Sequence, residues 1–181
     1  NIKYILSKDI RISPNFLRKH NIDPKVRERV TFVTHDKEYE VDDIKIETLN
    51  STDAGVAYYV ETNGATFYHA GDLNNWIWDG AGELTNGVQE RNFKFQIRQL
   101  AGKPINVAFV PMDPRQGKYT YSGLDFFLKE TEAEIVFPMH MWQDYSGIAT
   151  YAKSPSNRGM ADRLVFIEHE NQEFEISENY A

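Results

Sequence analysis

The sequence predicts an α/β protein built on a mixed β-sheet covered by helices. Three observations carry that prediction. Strand patterns and a hairpin signal dominate the first half, strands alternate with helical patterns in the second, and no internal repeat or low-complexity linker interrupts them. The 181 residues read as a single domain over 1–181, because the length suits one core and a chain 41% hydrophobic and 13% aromatic is globular in composition.

The elements follow in chain order. IKYILS (2–7) reads as a strand. SPNFLRKH (13–20) reads as a short helix: Ser13 is a capping residue, and Pro14 takes the first helical position, where its missing N–H costs nothing. RVTFVTH (29–35), KEYEVDD (37–43) and IKIETLN (44–50) alternate or carry β-branched residues at strand length. GVAYYVETNGATFYHAGD (55–72) is a hairpin about Asn63-Gly64, since both residues of the tight turn must accept positive φ. GVQERNFKFQIRQLAG (87–102) suits a surface helix ended by Gly102, although Phe93 and Phe95 also fit alternation. INVAFVPMD (105–113) and AEIVFPMH (133–140) are buried strands flanking a helix over YSGLDFFLKET (121–131), and DRLVFIEHENQEFEIS (162–177) resembles a closing hairpin.

Charge and composition narrow the chemistry. A formal charge of -7, from 27 acidic and 20 basic residues with no basic block, argues against a nucleic-acid partner. The absence of cysteine excludes disulfides, thiolate ligands and a cysteine nucleophile. No apolar run reaches membrane-spanning length and the start lacks signal-peptide order, so a cytoplasmic protein acting on a small molecule, without a membrane partner, is expected. DPRQGKYT lacks the first glycine of a phosphate cradle, no G-x-S-x-G elbow is present, and Asn50-Ser51-Thr52 matches a glycosylation acceptor without a secretory context.

Three strands end alike. TFYHAGD delivers Asp72, NVAFVPMD delivers Asp113 and EIVFPMH delivers His140, each polar group arriving just after an apolar run. Buried strands fix the backbone while the loops beyond them carry polar groups, so one edge of the sheet is the expected site. Alternation places Phe67 and His69 on one strand face and Tyr68 on the other. His69 is expected to point into a half-buried layer, either as a structural histidine or as a donor to a ligand or metal. His20, His35 and His169 read as surface residues. Trp76 and Trp78 in the loop LNNWIWDGAGELTNG (73–87), with Trp142 beyond His140, either wall an apolar substrate pocket or pack in the core.

STDAGVAYYVETNGATFYHAGD, INVAFVPMDPRQGKYTYSGLDFFLK and EIVFPMHMWQDYS together resemble the metallo-β-lactamase-fold hydrolases, in particular their broad bacterial branch of zinc-dependent hydrolases. The resemblance implies a four-layer αβ/βα sandwich with zinc, or another divalent metal, at one edge. It also implies that a metal-bound hydroxide attacks an ester, lactone, amide or phosphoester. Asp72 matches the carboxylate that bridges two metals, and His140 matches the late histidine ligand. The H-x-H-x-D-H motif of that family is absent from these 181 residues. Together with the abrupt opening at Asn1 this leads us to expect a missing front segment. Ser51 or Thr52 stands where the family carries its middle histidine, with Asp53 the nearby strong ligand. Asp72 and His140 thus make two metal ligands, with Asp53 and His69 the candidates for a third. Asp113 and Ser51 are expected to hydrogen-bond behind them. The chain by itself is expected to bind zinc poorly and hydrolyse little; the alternative is a metal-free binding or structural module. A fold without its first strands is also expected to expose an apolar edge and self-associate.

Overall fold

A computed structural model of the chain describes residues 2–176. Six strands form the main sheet in the order β3-β4-β5-β6-β7-β8, so neighbours in sequence are neighbours in space. The first four, β3 (Lys37–Val41), β4 (Ile44–Asn50), β5 (Val56–Thr62) and β6 (Ala65–His69), pair antiparallel. Asn63 and Gly64 both lie at positive φ, 50° and 79°, which is why Asn-Gly forms the β5–β6 turn. β7 (Val107–Pro111) and β8 (Ile135–Met139) then add in parallel, each after a helical crossover. The expected mixed sheet is therefore observed. β1 (Tyr4–Ser7) and β2 (Val30–Val33) form a separate two-stranded parallel sheet around α1 (Pro14–Lys19), which Ser13 caps through its hydroxyl.

Helices cover one face of the main sheet. α2 (Glu83–Arg98) and α3 (Ser122–Glu130) bury Phe93, Ile97, Leu124 and Phe127 against Tyr59, Tyr68, Ala108 and Val136, and α4 (Ser146–Ala152) adds Ile148 and Tyr151. A short α5 (Arg158–Ala161) follows. Where the resemblance implies four layers, the described residues make one large sheet, one helical layer and the small β1–β2 sheet. No helix among them is long and apolar enough to cross a membrane.

Two elements depart from the sequence reading. α2 starts at Glu83, four residues before the expected Gly87, so the loop after Asp72 is shorter than the pattern suggested. Gly82, at φ 80°, opens it without any side-chain cap, and no capping residue was there to read. The closing hairpin over 162–177 is not formed among the described residues, and Ser177 lies outside them. Instead the segment runs parallel to β8 through one bridge, Val136 to Leu164. Arg163 holds it there by donating to the carbonyls of Thr131 (2.8 Å), Ala133 (3.3 Å) and Leu128, which close the end of α3.

Candidate active site

The ends of β6, β7 and β8 converge on one edge of the sheet. β6 and β8 are separated by β7, so Asp72 and His140 are not on adjacent strands. The parallel run β6-β7-β8 nevertheless brings all three ends to one edge, and His140 Nε2 lies 3.2 Å from Asp72 Oδ1. Both side chains are partly open to solvent. Gly71 makes the approach feasible: at φ 55°, a Cβ there would lie 3.0 Å from the Val56 carbonyl oxygen.

Trp76 is buried beside the pair. Its indole N–H donates to the Asp72 carbonyl (2.9 Å), and its ring stands 5.9 Å from the His140 ring and stacks on Trp78 at 6.1 Å. These two tryptophans, with Thr52, Asp53, Gln89 and Arg115, line an open cleft of about 330 Å³. Trp142 does not join them: it is 65% exposed, donates its indole N–H to Asp113 (3.2 Å) and lies under the Arg115 guanidinium at 4.3 Å.

Asp113 is fully buried and its carboxylate is saturated. It accepts from the Arg115 backbone N–H (3.0 Å), from Arg115 Nε (2.9 Å) and a terminal guanidinium nitrogen (2.5 Å), and from Trp142. Burial favours the neutral acid, but these donors outweigh it and hold the carboxyl below its ordinary range. Asp113 therefore touches neither Asp72 nor His140 by hydrogen bond; it anchors the loop after His140 through Trp142.

The remaining candidates separate. His69 is exposed, not half-buried, because the sheet face it shares with Phe67 is the one the helices leave open. Its Nδ1 accepts from the Gly71 N–H (3.0 Å), so the neutral ring carries its proton on Nε2 and offers no free lone pair there. Loss of water around the ring and the nearby His140 lower its pKa, against the opposing pull of its own backbone carbonyl and Asp72. Asp53 is exposed at the cleft mouth. Ser51 serves a local turn by accepting from the Asp53 N–H (3.2 Å), and the residue that ties this loop to the site is Thr52, whose hydroxyl donates to the Asn74 carbonyl (2.6 Å). His20, His35 and His169 are all exposed, as expected.

Sequence reasoning missed the polar scaffold beneath the site. Buried Asn74 donates to Gln116 Oε1 (2.9 Å), and Gln116 donates back to the carbonyls of Asn75 (2.8 Å) and Ile77 (3.2 Å), fixing the chain just past Asp72. The signal was the Asn74-Asn75 pair directly after an apolar strand. Two buried amides there have no purpose in a solvated turn.

The donor set fits a divalent metal only in part. Ligands about 2.0–2.2 Å from a tetrahedral zinc stand about 3.3–3.6 Å apart, so the Asp72–His140 spacing suits two corners of one shell. A catalytic zinc needs a third protein ligand, and no group of three or more His, Asp or Glu side chains gathers anywhere among the described residues. The described residues do not complete the site.

No protein-family model matches the chain, and no curated protein does. Solved structures do. A protein of Parabacteroides distasonis designated a metal-dependent hydrolase is 14% identical, with a TM-score of 0.51 over 92% of this chain and 64% of its own. A Thermotoga maritima protein designated a zinc-dependent hydrolase of the metallo-β-lactamase superfamily is 16% identical over 77% of this chain and 60% of its own, with a TM-score of 0.39. Zinc-bound PqqB of Methylobacterium extorquens is 11% identical over 90% and 58%, with a TM-score of 0.40. The first of these shares the mixed α/β fold of this chain; the other two overlap too loosely to add to it. The chain spans less than two thirds of the length of each.

Proposed function

We propose that this chain carries part of the centre of a metal-dependent hydrolase of the metallo-β-lactamase fold, acting on an ester, lactone, amide or phosphoester of a small molecule. Asp72 and His140 are its contribution to a zinc or other divalent ion, and the remaining donors come from polypeptide outside these residues. The observation that carries the reading is the 3.2 Å approach of Asp72 and His140 at the shared edge of β6, β7 and β8. The shared fold with the Parabacteroides protein supports it.

The residues in hand have definite tasks. Asp72 Oδ1 and His140 Nε2 face each other at 3.2 Å, so both can reach one ion at the sheet edge. Trp76 covers one side of His140 and restricts water there. Trp78, Asp53 and Arg115 at the cleft wall meet the substrate. The alternative, a metal-free binding module, is favoured by the tautomer of His69, which leaves the pair without the nearest third donor.

Zinc titrated calorimetrically into the chain, alongside assays on a generic ester and a lactone, tests both readings. The hydrolase reading expects weak zinc binding that Asp72→Ala and His140→Ala each remove, with little turnover. Tight binding that survives both substitutions would place the metal elsewhere. Absence of binding at millimolar zinc would leave the metal-free module.

A further inference from the structure

The charge of this chain is divided unevenly. The first 30 residues carry eight of its 20 Lys and Arg but three of its 27 Asp and Glu, so a basic segment belongs to a protein of net charge -7. These cations stand singly except for Arg18-Lys19, and no basic block therefore shows in the sequence. The fold collects them. β1, α1, a 3-10 helix (Pro24–Arg29) and β2 form one small unit, in which α1 touches the 3-10 helix and only Ser7, Leu17 and Val33 are buried among residues 2–33.

Arg11, Arg18, Lys19, Lys25 and Arg27 are exposed and have no ion-pair partner among the described residues. Arg18 donates to the neutral side chain of Asn15. Two acids of the segment serve the backbone instead: Asp9 accepts from the Gly55 N–H (3.1 Å) and Asp23 from the Lys25 N–H (2.9 Å). Set among the cations are Ile10, Phe16 and Ile22, which are 46%, 44% and 38% exposed.

We propose that this basic, apolar-tipped unit docks on the surface of an anionic lipid bilayer. The mixture of side chains selects the occupant. A nucleic-acid backbone would take the cations and leave the three apolar side chains in water. A protein partner calls for apolar side chains gathered in a core depleted of charge, whereas each of these stands beside cations. A bilayer interface takes both at once: Ile and Phe enter the acyl boundary while Lys and Arg meet headgroup phosphates and lay their alkyl stems along apolar surface. The sequence expectation of no membrane partner concerned spanning segments, and surface docking needs none. The acidic remainder of the chain repels such a bilayer, but beyond about 8 Å at physiological salt that repulsion is screened, so the basic unit leads. Through the Asp9–Gly55 bond the unit is tied to the loop that carries Thr52 and Asp53, at the mouth of the tryptophan cleft.

One cation near an anionic membrane surface strengthens binding about fivefold, so five give a preference over a neutral bilayer of up to about 1,000-fold. Co-sedimentation of the chain with vesicles of about 70% phosphatidylcholine and 30% phosphatidylglycerol, against pure phosphatidylcholine, tests this. The mixed vesicles should bind at least about 100-fold more tightly, and Arg18→Ala with Lys19→Ala should weaken that binding about 25-fold. Phe16→Ser and Ile10→Ser should each weaken it about 5-fold without altering its salt dependence. Circular dichroism checks that both variants, at exposed positions, keep their fold. Equal binding to the two vesicles, or binding to neither, would overturn the proposal, as would binding that survives the loss of Arg18 and Lys19. Binding indifferent to both apolar variants, or matched by a DNA duplex at the same salt, would overturn the lipid and leave a polyanion as the partner.

Discussion

Replacing Asp113 by Asn removes one negative charge from the most heavily bonded carboxylate near the site. The amide retains an oxygen for the Arg115 backbone N–H, but an NH2 group replaces Oδ2, where Trp142 and the Arg115 guanidinium both donate. Two donors then face a donor. A hydrogen bond to a charged group contributes about 1.5–3 kcal/mol, and the Arg115 side chain, 51% exposed, recovers part of its loss from water. The expected destabilisation is therefore about 2–3 kcal/mol, or about 4–12 °C in melting temperature for a domain of this size. Urea denaturation at pH 7 measures the first, and tryptophan fluorescence follows the release of Trp142. The pH dependence isolates the cause. Because the folded carboxyl titrates below its unfolded value, its stabilisation is complete above about pH 4 and is lost as pH falls through the lower folded pKa. The gap between wild type and Asp113→Asn should accordingly narrow below about pH 4. A gap under about 0.5 kcal/mol at pH 7, or one that stays constant down to pH 3, would refute the reasoning.

Further outcomes follow from single contacts. Tyr68 is fully buried on Phe127 with no hydrogen-bond partner for its hydroxyl among the described residues, so Tyr68→Phe should match or exceed wild-type stability by up to about 1 kcal/mol in urea melts. A Cβ at Gly123 would lie 1.9 Å from Asn74 Oδ1; Gly123→Ala should displace the Asn74–Gln116 network and cost about 2–4 kcal/mol, read by the same melts. Gln116→Leu should cost about 1–3 kcal/mol, because it leaves the buried Asn74 side-chain N–H without its acceptor, and amide exchange should quicken at residues 74–77.

Much of this site was legible because strands announce their own ends. An apolar run stopping at Asp72, Asp113 or His140 fixes where the backbone leaves the sheet, and parallel pairing of β6, β7 and β8 turns three such stops into one edge. Which face each group takes was legible only in part. Alternation correctly set His69 apart from Tyr68, but which side the helices cover depends on α2 and α3, whose packing no local pattern states. Trp142 was misplaced for a related reason: its partner Asp113 lies 29 residues away, and only the fold brings them together. The mixed α/β fold that the strand and helix patterns predict is shared with the Parabacteroides protein at only 14% identity.

The turn after β8 shows how the site is held in place. His140, Trp142 and Gln143 all adopt left-handed backbone conformations, at φ 63°, 50° and 66°. None is glycine, so each position costs roughly 1 kcal/mol relative to an extended one. An extended chain would have continued past the sheet edge and carried the imidazole away from Asp72. The reversal is offset by contacts on both sides of it: the Met112 N–H donates to the Met139 carbonyl (2.8 Å), the Asp144 N–H to the Met141 carbonyl (2.9 Å), and Trp142 to Asp113. Asp113 is thus the residue through which the end of β7 positions the loop of β8, and its saturated carboxylate leaves that loop little freedom. Its influence on His140 is mechanical. The 3.2 Å approach to Asp72 consequently depends on an ion pair, Asp113 with Arg115, that touches neither member of the pair.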